Sequence, residues 1–422
     1  MTISKFIVIP ILTCILLLVD WYVWQAVKIV FEGSSNQVME FVKYFYWGIS
    51  ILILISLWAY NFINPEVLGV KIRTLILAGL FISYCSKLFS TVFIVIDDVS
   101  RIFSWSKNKI IPEKEISESI KENNNAISRS EFLMKTALFA AAIPAGALAW
   151  GVLSGAHDYK IRRIRLKIKN LPKAFEGMTI AQISDIHTGS FFNKTAVTGG
   201  VEMLMREKPE MVFFTGDLVN DRASEVKDYI NIFDKIKAPL GVYSTLGNHD
   251  YGVYKSWVNQ KERIENMNDI KKAHKLMGYD LLCDENRIIT LGGEKLAIIG
   301  VENISANESM FYNNGNLTKA TEHTDDAAVK LLLSHDPTHW DKEVNTRFKD
   351  IDVTFSGHTH GGQFGVNIGD TSYSPAQLAY KQWAGLYQQD EQQLYVNRGF
   401  GYLGYPGRVG MPPEITIFEL AG

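Results

Sequence analysis

Cysteine is nearly absent from this chain: three residues in 422, Cys14, Cys85 and Cys283, lie far apart. A disulfide framework or a thiolate-bound structural metal needs more cysteines in closer spacing, so both are excluded. Neither sign of charge prevails, since 43 Lys and Arg face 45 Asp and Glu for a formal net charge of -2. A nucleic-acid partner is therefore not expected. No internal repeat recurs and no Walker-type glycine loop is present, which removes solenoids and P-loop nucleotide hydrolases. Histidine is sparse as well, nine in all.

Long apolar runs are abundant, but only in the first 153 residues. They cover approximately 3–24, 44–62, 75–96 and 137–153. A bilayer span needs ~20 residues with about 17 as the lower bound, so three qualify and the fourth is marginal. The expected organisation is three transmembrane helices in 1–100, a polar loop or linker in 101–136, a fourth transmembrane or export-signal-like helix in 137–153, and a folded domain in 158–422. Asp20 and Lys87 are ionisable residues in or near the spans, where such groups mark a pocket or reach the interface.

The basic residues of the long loop, Arg101, Lys107, Lys109, Lys114, Lys121, Arg129 and Lys135, outnumber Lys71 and Arg73 between the second and third spans. The positive-inside rule then places that loop in the cytoplasm and the folded domain outside a bacterial inner membrane, as a multi-pass protein. Lys160, Arg162, Arg163, Arg165 and Lys167 oppose this orientation, but they alternate within a strand-like stretch. Ser128-Arg-Ser-Glu-Phe-Leu-Met-Lys135 is similar to a twin-arginine export signal with Ser130 in place of the second arginine, and Ala145-Gly-Ala147 resembles a signal-peptidase site.

The second half carries five short apolar runs, at 178–184, 211–215, 242–246, 331–334 and 353–356, each followed closely by polar residues with metal-binding chemistry. These are Asp185 with His187, Asp217, Asn248 with His249, His335, and His358 with His360. Compact β-favouring runs of this kind form buried strands, and ligands at their carboxyl ends would converge on one rim. Gly216, Gly247 and Gly357 precede polar residues where a chain leaving a strand needs a sharp turn and permissive dihedrals. Nitrogen and oxygen donors without thiolates suit Mn²⁺, Fe or Zn²⁺. Helices are expected at 195–206, 224–235 and 257–277, with further strands at 295–301, 394–397 and 414–419.

The ordered set Asp-x-His, Gly-Asp, Gly-Asn-His-Asp, His and Gly-His-Thr-His resembles the calcineurin-like metallophosphoesterase family over roughly residues 180–362. The resemblance implies an αββα sandwich preceded by the helical transmembrane region. It implies one divalent ion held by Asp185, His187, Asp217 and His360, and a second held by Asp217, Asn248, His335 and His358, with Asp217 as the bridge. The implied activity is hydrolysis of a phosphodiester or phosphomonoester by a metal-bound hydroxide, with His249 protonating the leaving group. Where the protein-phosphatase branch carries an Asp to orient that histidine, this chain has Asn220, followed by Asp221. Asp221 or Asp250 is the alternative support, and the departure argues against a phosphoprotein phosphatase.

The tail, with Gly361-Gly-Gln363, Asn397-Arg-Gly-Phe-Gly-Tyr402, Pro406-Gly-Arg408 and Pro412-Pro-Glu-Ile415, resembles the membrane-associated bacterial branch. Arg398 and Arg408 are candidate forked contacts to a substrate phosphate. The substrate is expected to be a phosphoester, with a lipid-linked one among the options. Two alternatives follow from the family and the spans: a hydrolase similar to UDP-2,3-diacylglucosamine pyrophosphatases of lipid A synthesis, and a metal-bound membrane sensor or scaffold without turnover.

Overall fold

The computed structural model describes residues 5–110, 129–369 and 371–422. Two compact units divide it, Met1–Trp150 and Gly151–Gly422. The first consists of four helices: α1 (Lys5–Val30), α2 (Asn36–Phe62), α3 (Pro65–Ile110) and α4 (Arg129–Leu153). Lys5–Val30, Asn36–Phe62, Val67–Phe103 and Glu131–His157 are each long and apolar enough to cross a bilayer. Ser35 starts α2 by accepting the Val38 N–H, and Gly69 at φ 66° kinks α3 near its start.

The stretch 101–136 expected as a linker is helical on both flanks, because α3 continues to Ile110 and α4 begins at Arg129. A helix that has outrun the ~30 Å hydrocarbon core can continue in water with charged residues on its surface. The middle of that stretch, 111–128, with Lys114, Lys121 and Ser128, lies outside the described residues. Asp20 and Lys87 find each other. The Asp20 carboxylate is fully buried and accepts from Lys87 Nζ at 2.5 Å, Ser50 Oγ at 3.0 Å and the Tyr84 hydroxyl at 3.0 Å. Three helices thereby share one ion pair, the condition under which charge is tolerated in hydrocarbon.

The second unit carries fourteen strands among its described residues. In chain order they are β1 (Lys160–Lys167), β2 (Thr179–Ile183), β3 (Met211–Phe214), β4 (Val242–Ser244), β5 (Asp280–Leu281), β6 (Glu285–Leu291) and β7 (Glu294–Gly300). The remainder are β8 (Val329–Leu333), β9 (Val353–Ser356), β10 (Val366–Ile368), β11 (Thr371–Tyr373), β12 (Gly385–Gln389), β13 (Gln392–Val396) and β14 (Glu414–Ala421). One six-stranded sheet runs β1-β14-β2-β3-β4-β5 and the other β12-β13-β9-β8-β7-β6, with β10 and β11 forming a separate two-stranded ribbon.

Side chains alternate between two layers, as the two-residue period of a strand requires. Ile180, Met211, Phe213, Val329, Leu331, Leu333, Val353 and Phe355 fill the core between the sheets. Their neighbours Ala181, Ile183, Val212 and Phe214 face outward beneath α5 (Lys194–Arg206) and α7 (Gln260–Met277), through Val201, Leu204, Ile270 and Met277. Leu332, Ala297 and Ile299 face the other way, against Trp340 and Val344. The result is the four-layer αββα sandwich. The helix expected at 224–235 is broken instead into a turn at Ala223–Val226 and the short α6 (Ile230–Phe233), because the Glu225 carboxylate bends back to accept the Asn220 and Arg222 N–H groups.

Candidate metal centre

Strands β2, β3 and β4 are parallel neighbours in one sheet, and β7, β8 and β9 in the other. Their carboxyl ends deliver the seven predicted side chains to one place. Asp185, His187 and His360 form one group able to hold a cation, and Asp217, His335 and His358 form another. Asn248 joins the second, its Oδ1 lying 3.1 Å from His335 Nε2 and 2.8 Å from His358 Nδ1. Asp217 Oδ2 stands between the groups, 3.4 Å from His187 Nε2 and 3.2 Å from His335 Nε2.

The turns that present these groups are strained in an unexpected way. Asp185, His187, Asp217, His358 and His360 all have φ between 50° and 71°. Non-glycine residues enter that left-handed region at a cost of ~1–3 kcal/mol each, and such strain persists only where the surroundings enforce it. Of the three glycines expected to supply permissive dihedrals, Gly216 does so at φ 93°. Gly247 and Gly357 do not; they are needed for space. A Cβ at Gly247 would stand 2.2 Å from Asp217 Oδ1, and one at Gly357 1.9 Å from Ser184 Oγ and 2.2 Å from Asp185 Oδ2.

Second partners fix the ring orientations. His187 Nδ1 bonds Asn220 Oδ1 at 3.1 Å, His335 Nδ1 bonds the Thr215 carbonyl at 2.7 Å, and His358 Nε2 bonds the Tyr380 hydroxyl at 2.9 Å. Each ring therefore keeps its other nitrogen for the cluster, the arrangement metal-ligating histidines show. Asn248 Nδ2 donates to the Tyr254 hydroxyl at 2.8 Å, which turns the amide oxygen inward. Asp185 accepts the His358 N–H at 3.0 Å, and Asp217 accepts the His249 N–H at 2.9 Å. A buried set of carboxylate, amide and imidazole donors fits divalent ions of oxygen and nitrogen preference.

Electrostatics within the cluster are uneven. Burial raises the Asp185 carboxyl, with the surrounding histidines opposing it. For Asp217 burial works upward too, but His335, His249 and His187 together hold it well below the ordinary carboxylate range. His335 moves up to about 10 because Asp217 and Asp185 outweigh its burial. His249 falls to about 4, mainly through burial.

His249 lies beside the cluster with its ring centroid 5.0 Å from that of His187. Its Nδ1 bonds the backbone carbonyl of Asn220 at 2.8 Å, so the Asn220 side chain does not orient it. The Asp250 carboxylate accepts the N–H groups of Asp217, Leu218, Val219 and Gly247, which makes it a buried clamp for two turns. Burial and Asp217 raise Asp250 to about 7. Asp250 therefore shapes the turns and does not take up the oriented role considered for it.

The two arginines do not form a phosphate fork. Arg398 is buried and pairs with Glu414 at 2.7 Å. Arg408 is buried and donates to the carbonyls of Gly401, His360, Met411, Arg398 and Gly399. Burial lowers it to about 10, against the pull of Asp185 and Glu414. Arg408 thereby ties the tail to the His360 carbonyl, whereas Arg398 is paired within the tail to Glu414. Tyr254 and Tyr380, which the sequence did not single out, bond Asn248 and His358 through their hydroxyls.

A family model described as calcineurin-like phosphoesterase matches residues 178–362, which hold all seven converging side chains and His249, and one described as the transmembrane domain of a probable calcineurin-like phosphoesterase matches residues 4–156. The chain belongs to the calcineurin-like metallophosphoesterases. A metallophosphoesterase of Bacillus subtilis is 28% identical over 302 residues, 70% of this chain and 98% of that protein. A transmembrane protein with metallophosphoesterase domain from Bos taurus is 30% identical over 275 residues, 63% of this chain and 58% of that protein. A structure of the Haemophilus influenzae NAD nucleotidase overlaps 53% of this chain and 50% of that one, at 16% identity and a TM-score of 0.35. As a metallophosphoesterase with four membrane-capable helices, the chain is a membrane protein.

Proposed function

We propose that the unit from 158 to 422 is a two-metal phosphoric ester hydrolase, a phosphodiesterase or phosphatase, anchored by the four helices. The observation that carries this reading is Asp217 Oδ2, one oxygen facing the nitrogens of both groups at 3.4 and 3.2 Å. Asp185, His187, Asp217 and His360 would hold one divalent ion, and Asp217, Asn248, His335 and His358 the other, of Mn, Fe or Zn. Two bound ions supply an activated water and draw charge from the phosphoryl oxygens. The protein's own part is to hold, orient and protonate. With Nδ1 donating to the Asn220 carbonyl, His249 works through Nε2. Its charged form, disfavoured by burial, gains from an anionic phosphate beside it, and Nε2 then has a proton to give the departing alkoxide. The experiment is turnover of a water-soluble phosphodiester by the full chain with Mn²⁺, beside Asp217→Asn. That variant should lose turnover and metal together; two tightly held metals per chain in it would rule out the bridge.

We infer the exported orientation in a bacterial inner membrane from the basic residues of the long loop. Four of the five β1 residues that opposed it are engaged within the folded unit: Lys160 pairs with Asp158, Arg162 with Glu414, Arg163 with Glu207 and Arg165 with Glu419. Protease added to intact spheroplasts should cut the 158–422 unit; protection until the membrane is opened would reverse the orientation.

A further inference from the structure

The ribbon that follows the His358–His360 turn leaves its apolar face in water. β10 and β11 pair Val366 with Tyr373, Asn367 with Ser372 and Ile368 with Thr371. Directly paired residues share a face of a two-stranded ribbon, so Val366, Tyr373 and Ile368 lie together on one side and Asn367 and Ser372 on the other. The first three are 59%, 50% and 67% exposed. The other side carries the polar Asn367, itself exposed, and the half-buried Ser372, and it touches the protein where Asn367 Nδ2 donates to the Gly410 carbonyl at 2.8 Å, with Ser372 Oγ donating to Asn367 Oδ1 at 2.7 Å. Leu378, on the turn Pro375–Leu378 that follows β11, is 93% exposed.

These residues are coupled to the cluster through their own backbone. Ser374 Oγ donates to the Gly361 carbonyl at 2.7 Å, Gln377 Nε2 donates to the Ser372 carbonyl at 3.1 Å, and Tyr380, two residues past Leu378, reaches His358. Isolated apolar residues on a surface need no explanation, but an amphipathic ribbon with its apolar face outward does.

We propose that this ribbon, with Leu378, enters the surface of a lipid bilayer and brings the metal-binding turn to phosphate esters carried by membrane lipids. The occupant is argued from the chain itself: four bilayer-crossing helices are joined covalently to this unit, the last ending at Leu153, seven residues before β1 begins at Lys160. A unit tethered that closely works beside a bilayer, and burial of Val366, Ile368, Tyr373 and Leu378 in it is favourable in proportion to their apolar area. The substrate half of the proposal rests on the phosphoesterase reading: water adds its hydroxyl to phosphorus, the bond to the lipid oxygen breaks, and that oxygen leaves protonated.

Two measurements on the full chain in nanodiscs separate the halves. In the first, Cys14, Cys85 and Cys283 are replaced by serine and Ile368→Cys carries an environment-sensitive fluorophore. Blue-shifted emission quenched by spin-labelled lipid supports docking. Water-like emission overturns it, as does a blue shift unmoved by the spin-labelled lipid, which would mean a protein partner or a second copy. This reading requires no turnover. In the second, Val366→Ser/Ile368→Ser/Tyr373→Ser is compared with the unaltered chain on a soluble phosphodiester and on a long-chain phospholipid. The soluble substrate should be unaffected while the apparent KM for the lipid rises tenfold or more. Equal effects on both, or none on either, overturn the lipid presentation; no turnover of any phosphoester by the unaltered chain refutes the hydrolase reading while leaving the docking result standing.

Discussion

Asn220→Ala separates two roles that one residue plays through different atoms. Its side-chain Oδ1 accepts from His187 Nδ1 at 3.1 Å, whereas its backbone carbonyl accepts from His249 Nδ1 at 2.8 Å. Alanine removes the first contact and keeps the second. His187 would lose the acceptor that fixes its tautomer, and loss of such a partner typically weakens metal binding by about 10- to 100-fold, which is about 1.4 to 2.7 kcal/mol. The ion in the Asp185, His187 and His360 group should therefore dissociate more readily, read by titration against a chromophoric chelator. At saturating metal, turnover should recover to within a few-fold of the unaltered chain, with alkyl and nitrophenyl phosphodiesters affected alike, because His249 still has its carbonyl. If metal affinity is unchanged while the alkyl substrate alone slows, the Asn220 side chain serves His249 and the assignment of its two atoms is wrong.

His249→Ala should keep both ions and slow alkyl esters by about 10² to 10⁴, with nitrophenyl esters much less affected, since nitrophenolate leaves without protonation. Equal slowing of both at constant metal content would make His249 a shaping residue instead of an acid. The fragment 151–422 should fold in water and hydrolyse a soluble phosphodiester, because every ligand lies in it and it retains the Gly151 carbonyl that accepts from the Arg408 N–H at 3.2 Å. A folded, metal-loaded fragment without turnover would show that the helices contribute to catalysis.

The sequence was most legible where one physical cause acted alone. Strands β2, β3, β8 and β9 are buried on both faces, so apolar residues dominate them despite single polar positions such as Gln182, Lys330 and Thr354, and they lie close to where expected. Two edge strands, β6 and β12, were missed. They close the two ends of one sheet with polar, half-buried or exposed residues such as Asn286, Arg287 and Gln388 in place of an apolar run. Each pairs antiparallel with the next strand across a two-residue turn, β6 with β7 and β12 with β13, so the hairpin turn and not a burial pattern was the local signal for them.

The converging residues were readable because cation-binding chemistry permits few residue types, and because they follow the carboxyl ends of five inner strands, β2, β3, β4, β8 and β9. Their supports were not, since a backbone carbonyl looks the same in any sequence. Thr215 holds His335 and Asn220 holds His249 through main-chain oxygens, so no side-chain motif records either contact. The same limit explains the arginines. A guanidinium suited to phosphate is equally suited to converging carbonyls, and only the fold shows that Arg408 meets five of them. Left-handed backbone at five of the converging residues adds a further layer: cation-binding chemistry would leave few residue types for these positions, so the conformational cost is carried by the surrounding clamp of Asp250 and by glycines that yield space instead of rotation. Glycine beside these residues is therefore a sign of close approach at Gly247 and Gly357, while Gly216 and Gly361, at φ 93° and 57°, supply left-handed backbone.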